Sequence, residues 1–115
     1  MLNLQMIAQL PREELQGVSE DDFKAAVLDC AQGWGWLRYH TLPAWTAGGG
    51  WRTATQGNVG FPDLVLARGG LVILAELKRE QGRTSLAQNL WLAALGEHGR
   101  LWRPRDAREI MEVMR

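Results

Sequence analysis

The chain has 115 residues, enough for one domain and too few for two. Hydrophobic residues make up 46% and charged residues 23%, the composition of a folded soluble domain, which excludes disorder as its main state. The 13 basic residues balance the 13 acidic ones, so no strong overall field draws the molecule to nucleic acid or anionic lipid. The balance hides an asymmetry: residues 1–65 carry 4 Lys/Arg against 7 Asp/Glu, and residues 66–115 carry 9 against 6. Cys30 is the only cysteine, which excludes an internal disulfide and a Cys-rich zinc site and points to a reducing compartment such as the cytoplasm. No apolar stretch reaches the roughly 18 residues of a membrane span, and Met1–Leu10 lacks the marks of a signal peptide, so no membrane association is expected.

Residues 1–18 read as an N-terminal extension to a domain over 19–115. Leu2, Met6 and Leu10 are spaced by four and suggest a small apolar stripe, on an arm that packs on a partner chain or on a loose terminus. Pro11 and the residues after it suit a short helix start. Ser19 is an N-cap, with Glu20, Asp21 and Asp22 in the first helical turn. Phe23, Ala26, Val27, Cys30 and Ala31 recur at helix spacing, and Gly33 and Gly35 end that helix. Trp36–Thr41 predicts a short strand. Residues 42–60 read as one long loop, with Trp45 and Trp51 inside it.

Phe61–Arg68 and Leu71–Lys78 are strand-like runs around Gly69-Gly70, a hairpin signal. Ser85 with Gln88 forms a capping box that opens a second helix with Leu86, Leu90, Ala93 and Ala94 as its main stripe. A short strand around Leu101-Trp102 follows, then a last helix from Pro104 with Ala107, Ile110, Met111 and Met114 on one face. The order predicts an α/β fold, a small mixed sheet flanked by helices. Trp34, Trp36, Trp91 and Trp102 are expected in the core.

The hairpin register follows from the turn. With Gly69-Gly70 as a two-residue loop, or at the centre of a four-residue one, Ala67 faces Val72, Val65 faces Leu74 and Asp63 faces Glu76. The two carboxylates then share one face with Cβ atoms roughly 4.5–5.5 Å apart, and Lys78 joins them two residues on. Both faces are apolar in the middle, so both are expected to be covered by helices. Like charges opposite one another destabilise a strand pair. A divalent cation such as Mg²⁺ would compensate, acidify a water and clamp a phosphate, with Lys78 to orient that water or offset charge. The plainer alternative is two exposed carboxylates at a frayed hairpin end, with Lys78 as a salt-bridge partner. Glu20 points from its helix toward the sheet and would add an oxygen, or else pairs only with its helix dipole.

These residues resemble a known family. Gly60-Phe61-Pro62-Asp63 followed by Glu76-Leu77-Lys78 is similar to the PD-(D/E)xK nuclease signature. Adding Ser19-Glu20, Gly35-Trp36, Tyr39-His40-Thr41, Gly82-Arg83, Ser85 with Gln88 and Trp102-Arg103-Pro104 makes about residues 19–114 resemble its VRR-NUC branch, the virus-type replication-repair nucleases. The resemblance implies an αβββαβ core and Mg²⁺- or Mn²⁺-dependent hydrolysis of DNA phosphodiesters. It implies metal ligation by Asp63, Glu76 and the Leu77 carbonyl with Glu20 nearby, Lys78 as the catalytic lysine, and Gln88 as the family glutamine. It further implies a homodimer acting on branched DNA in the manner of a Holliday-junction resolvase. Flap cleavage by a monomer is the variant found in members fused to larger repair proteins.

Other residues complete the expectation. Gln88 shares a helical face with Trp91, Leu92 and Leu95 and points inward, or serves only its cap. Arg52, Arg79 and Arg83 suit phosphate contacts that position DNA, against a plain solvated role for each. Trp51 suits stacking on an unpaired base. His40, at a strand end, lies nearer the expected pocket than His98, with a structural hydrogen bond as its plainer role. Two other functions fit the same chain: a non-catalytic DNA-binding module, and a different enzyme built on the carboxylate pair. No phosphate-binding Gly-rich motif, Cys/His nucleophile or Ser triad is evident.

Overall fold

The computed structural model describes residues 1–40, 44–46, 48–52 and 56–115, with the side chains of 44–46, 51 and 52 outside the description. The elements are α1 (Leu4–Ala8), a 3-10 turn (Arg12–Gly17), α2 (Glu20–Gly33), β1 (Leu37–His40), β2 (Ala44–Thr46), β3 (Gly50–Arg52), β4 (Leu64–Arg68), β5 (Leu71–Leu77), α3 (Leu86–Leu95), β6 (Gly99–Trp102) and α4 (Ala107–Met114). A four-stranded mixed sheet in the order β1-β4-β5-β6 is flanked by helices. β1, β4 and β5 are antiparallel neighbours, and β6 joins β5 in parallel through α3. Among the described residues no helix is long and apolar enough to cross a membrane.

The β4–β5 hairpin is the element that positions the site. Gly69 and Gly70 take φ of 57° and 84°, a backbone conformation in which glycine has no Cβ to clash. Two central residues with positive φ close a tight turn, and the register follows: Ala67 opposite Val72, Val65 opposite Leu74, Leu64 opposite Ala75. The ladder ends at Leu64–Ala75, and Asp63, at the bend just before it, lies beside Glu76 and the Leu77 N–H.

α2 begins at its expected cap, the Ser19 hydroxyl accepting from the Asp22 backbone N–H at 3.0 Å. Phe23, Ala26, Val27 and Ala31 are buried against Leu64, Leu66, Ile73, Ala75 and Leu77 of the sheet together with Ile110 and Met114 of α4. Arg68 ties this layer together. Its guanidinium lies 4.6 Å from the Trp36 ring centre and donates to the carbonyls of Trp34 and Met114. These carbonyls stand at the C-terminal ends of α2 and α4, where a cation complements the helix dipole.

Several expectations are corrected. Residues 1–18 are neither a loose terminus nor a free arm: Leu4, Ile7, Leu15 and Val18 enter the main core, and α1 lies on α4. The buried pair is Leu4/Ile7, at helical i, i+3 spacing, while Met6 of the expected stripe is exposed. The segment 42–60 is not one structureless loop, because β2 and β3 pair as a separate antiparallel ribbon with Trp45 opposite Trp51. Trp36 and Trp102 are buried as expected, whereas Trp91 is only half-buried and Trp34, past the end of α2, is exposed. The sheet is not covered equally on its two faces. α2 and α4 bury one. On the other, α3 lies along β6, leaving Leu37 77% and Tyr39 63% exposed on edge strand β1. α3 itself has no buried residue; Leu86 and Leu90 of its expected stripe face solvent, and Trp91, Leu92 and Leu95 turn inward.

Candidate functional site

The acid pair sits on the partly open face, in the cross-strand row after Tyr39–Val65–Leu74. The frayed-end alternative does not describe it: Glu76 is 1% exposed, and Asp63 is half-buried. The Leu77 backbone N–H donates to Asp63 Oδ2 at 3.1 Å, which fixes one carboxyl against the strand carrying the other. Gln88 Nε2 donates to Glu76 Oε2 at 3.0 Å, and Lys78 Nζ lies 3.6 Å from the same oxygen. The Lys78 backbone N–H donates to the Trp102 carbonyl at 3.0 Å, so the lysine leaves the sheet in strand register.

One amide group therefore serves two purposes. Gln88 Oε1 accepts from the Ser85 backbone N–H at 2.8 Å while its Nε2 holds Glu76. The Ser85 hydroxyl accepts from the Gln88 backbone N–H at 3.1 Å, completing the capping box. Gln88 thus caps its helix and points inward to Glu76 at the same time. The cap also fixes which end of the amide faces the acid.

Electrostatics follow from this packing. Burial above all, then the negative charge of the adjacent Asp63, push Glu76 from its ordinary 4.5 up to about 8, against the opposing pull of Lys78. Glu76 Oε1 is buried and has no donor among the described residues. Two kinds of partner satisfy such an oxygen: a proton held between the carboxyls, or a cation. The donor set fits Mg²⁺, which takes one or two carboxylates and completes its shell with waters and substrate phosphate oxygens. Asp63 and Glu76, with the adjoining Leu77 peptide, are the residues that would hold it.

Glu20 is exposed at the start of α2, and among the described residues no group of three or more His, Cys, Asp and Glu side chains is gathered in one place. His40 pairs with Leu64 and so lies on the opposite face from the acids, its Nδ1 buried without a partner among the described residues; His98 is exposed. Arg79 and Arg83 are exposed on the segment that leaves β5 just past Lys78. Trp51 and Arg52 have their backbone in β3, and their side chains lie outside the described residues.

Sequence reasoning missed what shapes the Arg79–Arg83 segment. Arg103 donates to the carbonyls of Arg79 and Gly82 at 3.0 and 2.6 Å. Arg105 grips the nearly buried Glu80 with its Nε at 2.9 Å and its backbone N–H at 3.1 Å. The signal was present: Arg103-Pro104-Arg105 follows β6, the parallel neighbour of β5, so both chains leave the sheet at the same end. No protein family, curated protein or solved structure was found to match this chain.

Proposed function

We propose that the chain is a divalent-metal-dependent DNA endonuclease of the PD-(D/E)xK type, related to the VRR-NUC branch and acting on branched DNA. The observation that carries this is the Asp63–Glu76 pair: two neighbouring carboxyls at the end of the β4–β5 ladder, one fully buried with an orphaned oxygen, beside a lysine and a capping glutamine. Burying a carboxylate in this way costs stability and serves no packing purpose. With the separate β2–β3 ribbon set aside, the order α2-β1-β4-β5-α3-β6 is compatible with the αβββαβ core that the sequence resemblance implies, and supports the reading.

When bound, a Mg²⁺ or Mn²⁺ ion supplies positive charge for the phosphate oxygens and lowers the pKa of a water. The chain's own residues do the rest. Asp63 is held by the Leu77 N–H and Glu76 by Gln88, so both present oxygens without reorganising. Lys78 offsets charge on the phosphate as it develops and orients the attacking water. Arg79 and Arg83 hold flanking phosphates, on a segment that Arg103 and Arg105 keep in place. A homodimer in the cytoplasm is part of the same proposal, and the uncovered Leu37–Tyr39 side of the sheet is a surface it would bury.

The test is a labelled four-way junction, a flap and a linear duplex, each incubated with Mg²⁺, Mn²⁺ or EDTA. Branched substrates are expected to be cut with either metal and left intact in EDTA and by Asp63→Ala. Lys78→Met is expected to bind DNA as before and to lose turnover by at least about a hundredfold. Binding without cleavage by the unaltered chain would instead support a non-catalytic DNA-binding module. Light scattering at micromolar concentration reads the dimer.

A further inference from the structure

From the surface beside the acid pair we infer a nucleobase pocket around Trp91, whose two flanking grooves together take a single unstacked base next to the phosphate at Asp63. The inference rests on the nuclease role proposed above and adds what the enzyme would recognise. Two open grooves, each about 490 Å³, flank the Trp91 ring, one lined by Val59, Ala87, Leu90 and Ala94, the other by Gln56, Gly57 and Phe61, with Asn58 common to both. Phe61 meets Trp91 edge to face with ring centres 5.0 Å apart. Phe61 remains 46% and Leu90 63% exposed, so the apolar surface is turned outward.

The pocket is pre-formed. Trp91 Nε1 donates to the carbonyls of Asn58 and Val59 at 3.3 and 3.1 Å, pinning the 58–61 segment to α3. At Gly60, φ is +91°, and a Cβ there would stand 2.6 Å from the Ala87 carbonyl carbon, so only glycine lets the segment lie this close to the helix. A rigid aromatic wall costs little entropy on binding.

Its position and chemistry indicate the occupant. Phe61 precedes Asp63 by two residues, at most roughly 7 Å along the chain, within reach of the base of a neighbouring nucleotide once it leaves the stack. Aromatic and aliphatic walls accept the face of any base, while the exposed amides of Asn58 and Gln56 match base-edge donors and acceptors. Arg79 and Arg83 supply the cationic complement for the strand's phosphates. A fully paired duplex offers no free base to this pocket, whereas a junction, flap or loop does.

Photocrosslinking tests this with 5-iodouracil at the unpaired position of a looped oligonucleotide and Ca²⁺ in place of Mg²⁺. The crosslinked peptide is expected to contain Phe61 or Trp91, and the same strand fully paired is expected to give no such peptide. Leu90→Ser, at an exposed position, is expected to lower the preference for looped over paired DNA about tenfold with no change of mass in light scattering. Crosslinks confined to other peptides, or an unaltered preference in Leu90→Ser, would overturn the pocket. A dimer that falls to monomer in Leu90→Ser would overturn it too, assigning the surface to a second copy. If the unaltered protein cuts branched DNA but crosslinks elsewhere, the pocket alone fails. If it neither binds nor cuts DNA, the nuclease role fails with it.

Discussion

Glu76→Gln is expected to abolish cleavage and stabilise the fold at the same time. Glutamine keeps the shape, and its Oε1 accepts from Gln88 as the carboxylate does now, while its amide N–H faces the Asp63 carboxyl. What disappears is a buried negative charge opposite another acid. At pH 8 the variant should gain about 4 kcal/mol in denaturant unfolding of the metal-free protein, and Mg²⁺-dependent cleavage should fall by at least about a thousandfold. The opposite signs are the diagnostic. A residue retained for stability would lose both when replaced; a residue retained for chemistry trades one for the other. If Glu76→Gln unfolds earlier than the parent, or still cuts, the acid pair is not a metal site.

The second large effect is on pH dependence. Glu76 has a folded-state pKa of about 8 against an ordinary 4.5, so between those values the folded protein binds a proton that the unfolded chain releases. That stabilisation is fully present below about pH 4.5, declines as pH rises, and is lost once pH passes the folded-state value. Stability of the metal-free protein is therefore expected to fall between roughly pH 5 and 8 with a slope approaching 1.4 kcal/mol per pH unit. Millimolar Mg²⁺ should flatten the slope, because the cation takes the place of the proton between the carboxyls. Melting curves across that range, with Mg²⁺ and with EDTA, measure both. Calorimetry in two buffers of different ionisation enthalpy should show close to one proton released per Mg²⁺ bound at pH 7. A flat metal-free profile would mean that Glu76 is charged throughout and that burial does not strain it.

The parts of this molecule that were legible in advance are those set by local rules. A Gly-Gly turn between two apolar runs has few geometries, so the pairing of Val65 with Leu74, and the nearness of Asp63 to Glu76 beyond the ladder, follow from counting. Ser19 and Ser85 announce their helices because a side-chain oxygen is needed where backbone N–H groups have no partner. Depth was less legible. Alternation places Glu76 on a face but does not say that Gln88 and β6 close over it. The first ten residues carry apolar groups at positions 1, 2, 4, 6, 7, 8 and 10, which permit more than one stripe. Contact with α4, a partner about a hundred residues away in sequence, selects Leu4 and Ile7. α3 is apolar all round, so spacing could not say which side faces in; the bonds made by Gln88 and Trp91 decide it. The β2–β3 ribbon escaped notice because its strands are three residues each and its turn lies in a run of glycines that reads as a loop.

A helix in which no side chain is fully enclosed contributes little to the free energy that holds a domain shut. α3 is attached chiefly by its capping amide, by the Trp91 indole and by Leu92 and Leu95 lying close over Gly99 at the start of β6. Its amides should exchange with solvent through excursions far smaller than global unfolding, while those of β5 wait for the whole molecule to open. Each excursion would lift Gln88 away and briefly wet Glu76, so the proposed cation would reach the deepest carboxylate without the sheet having to separate.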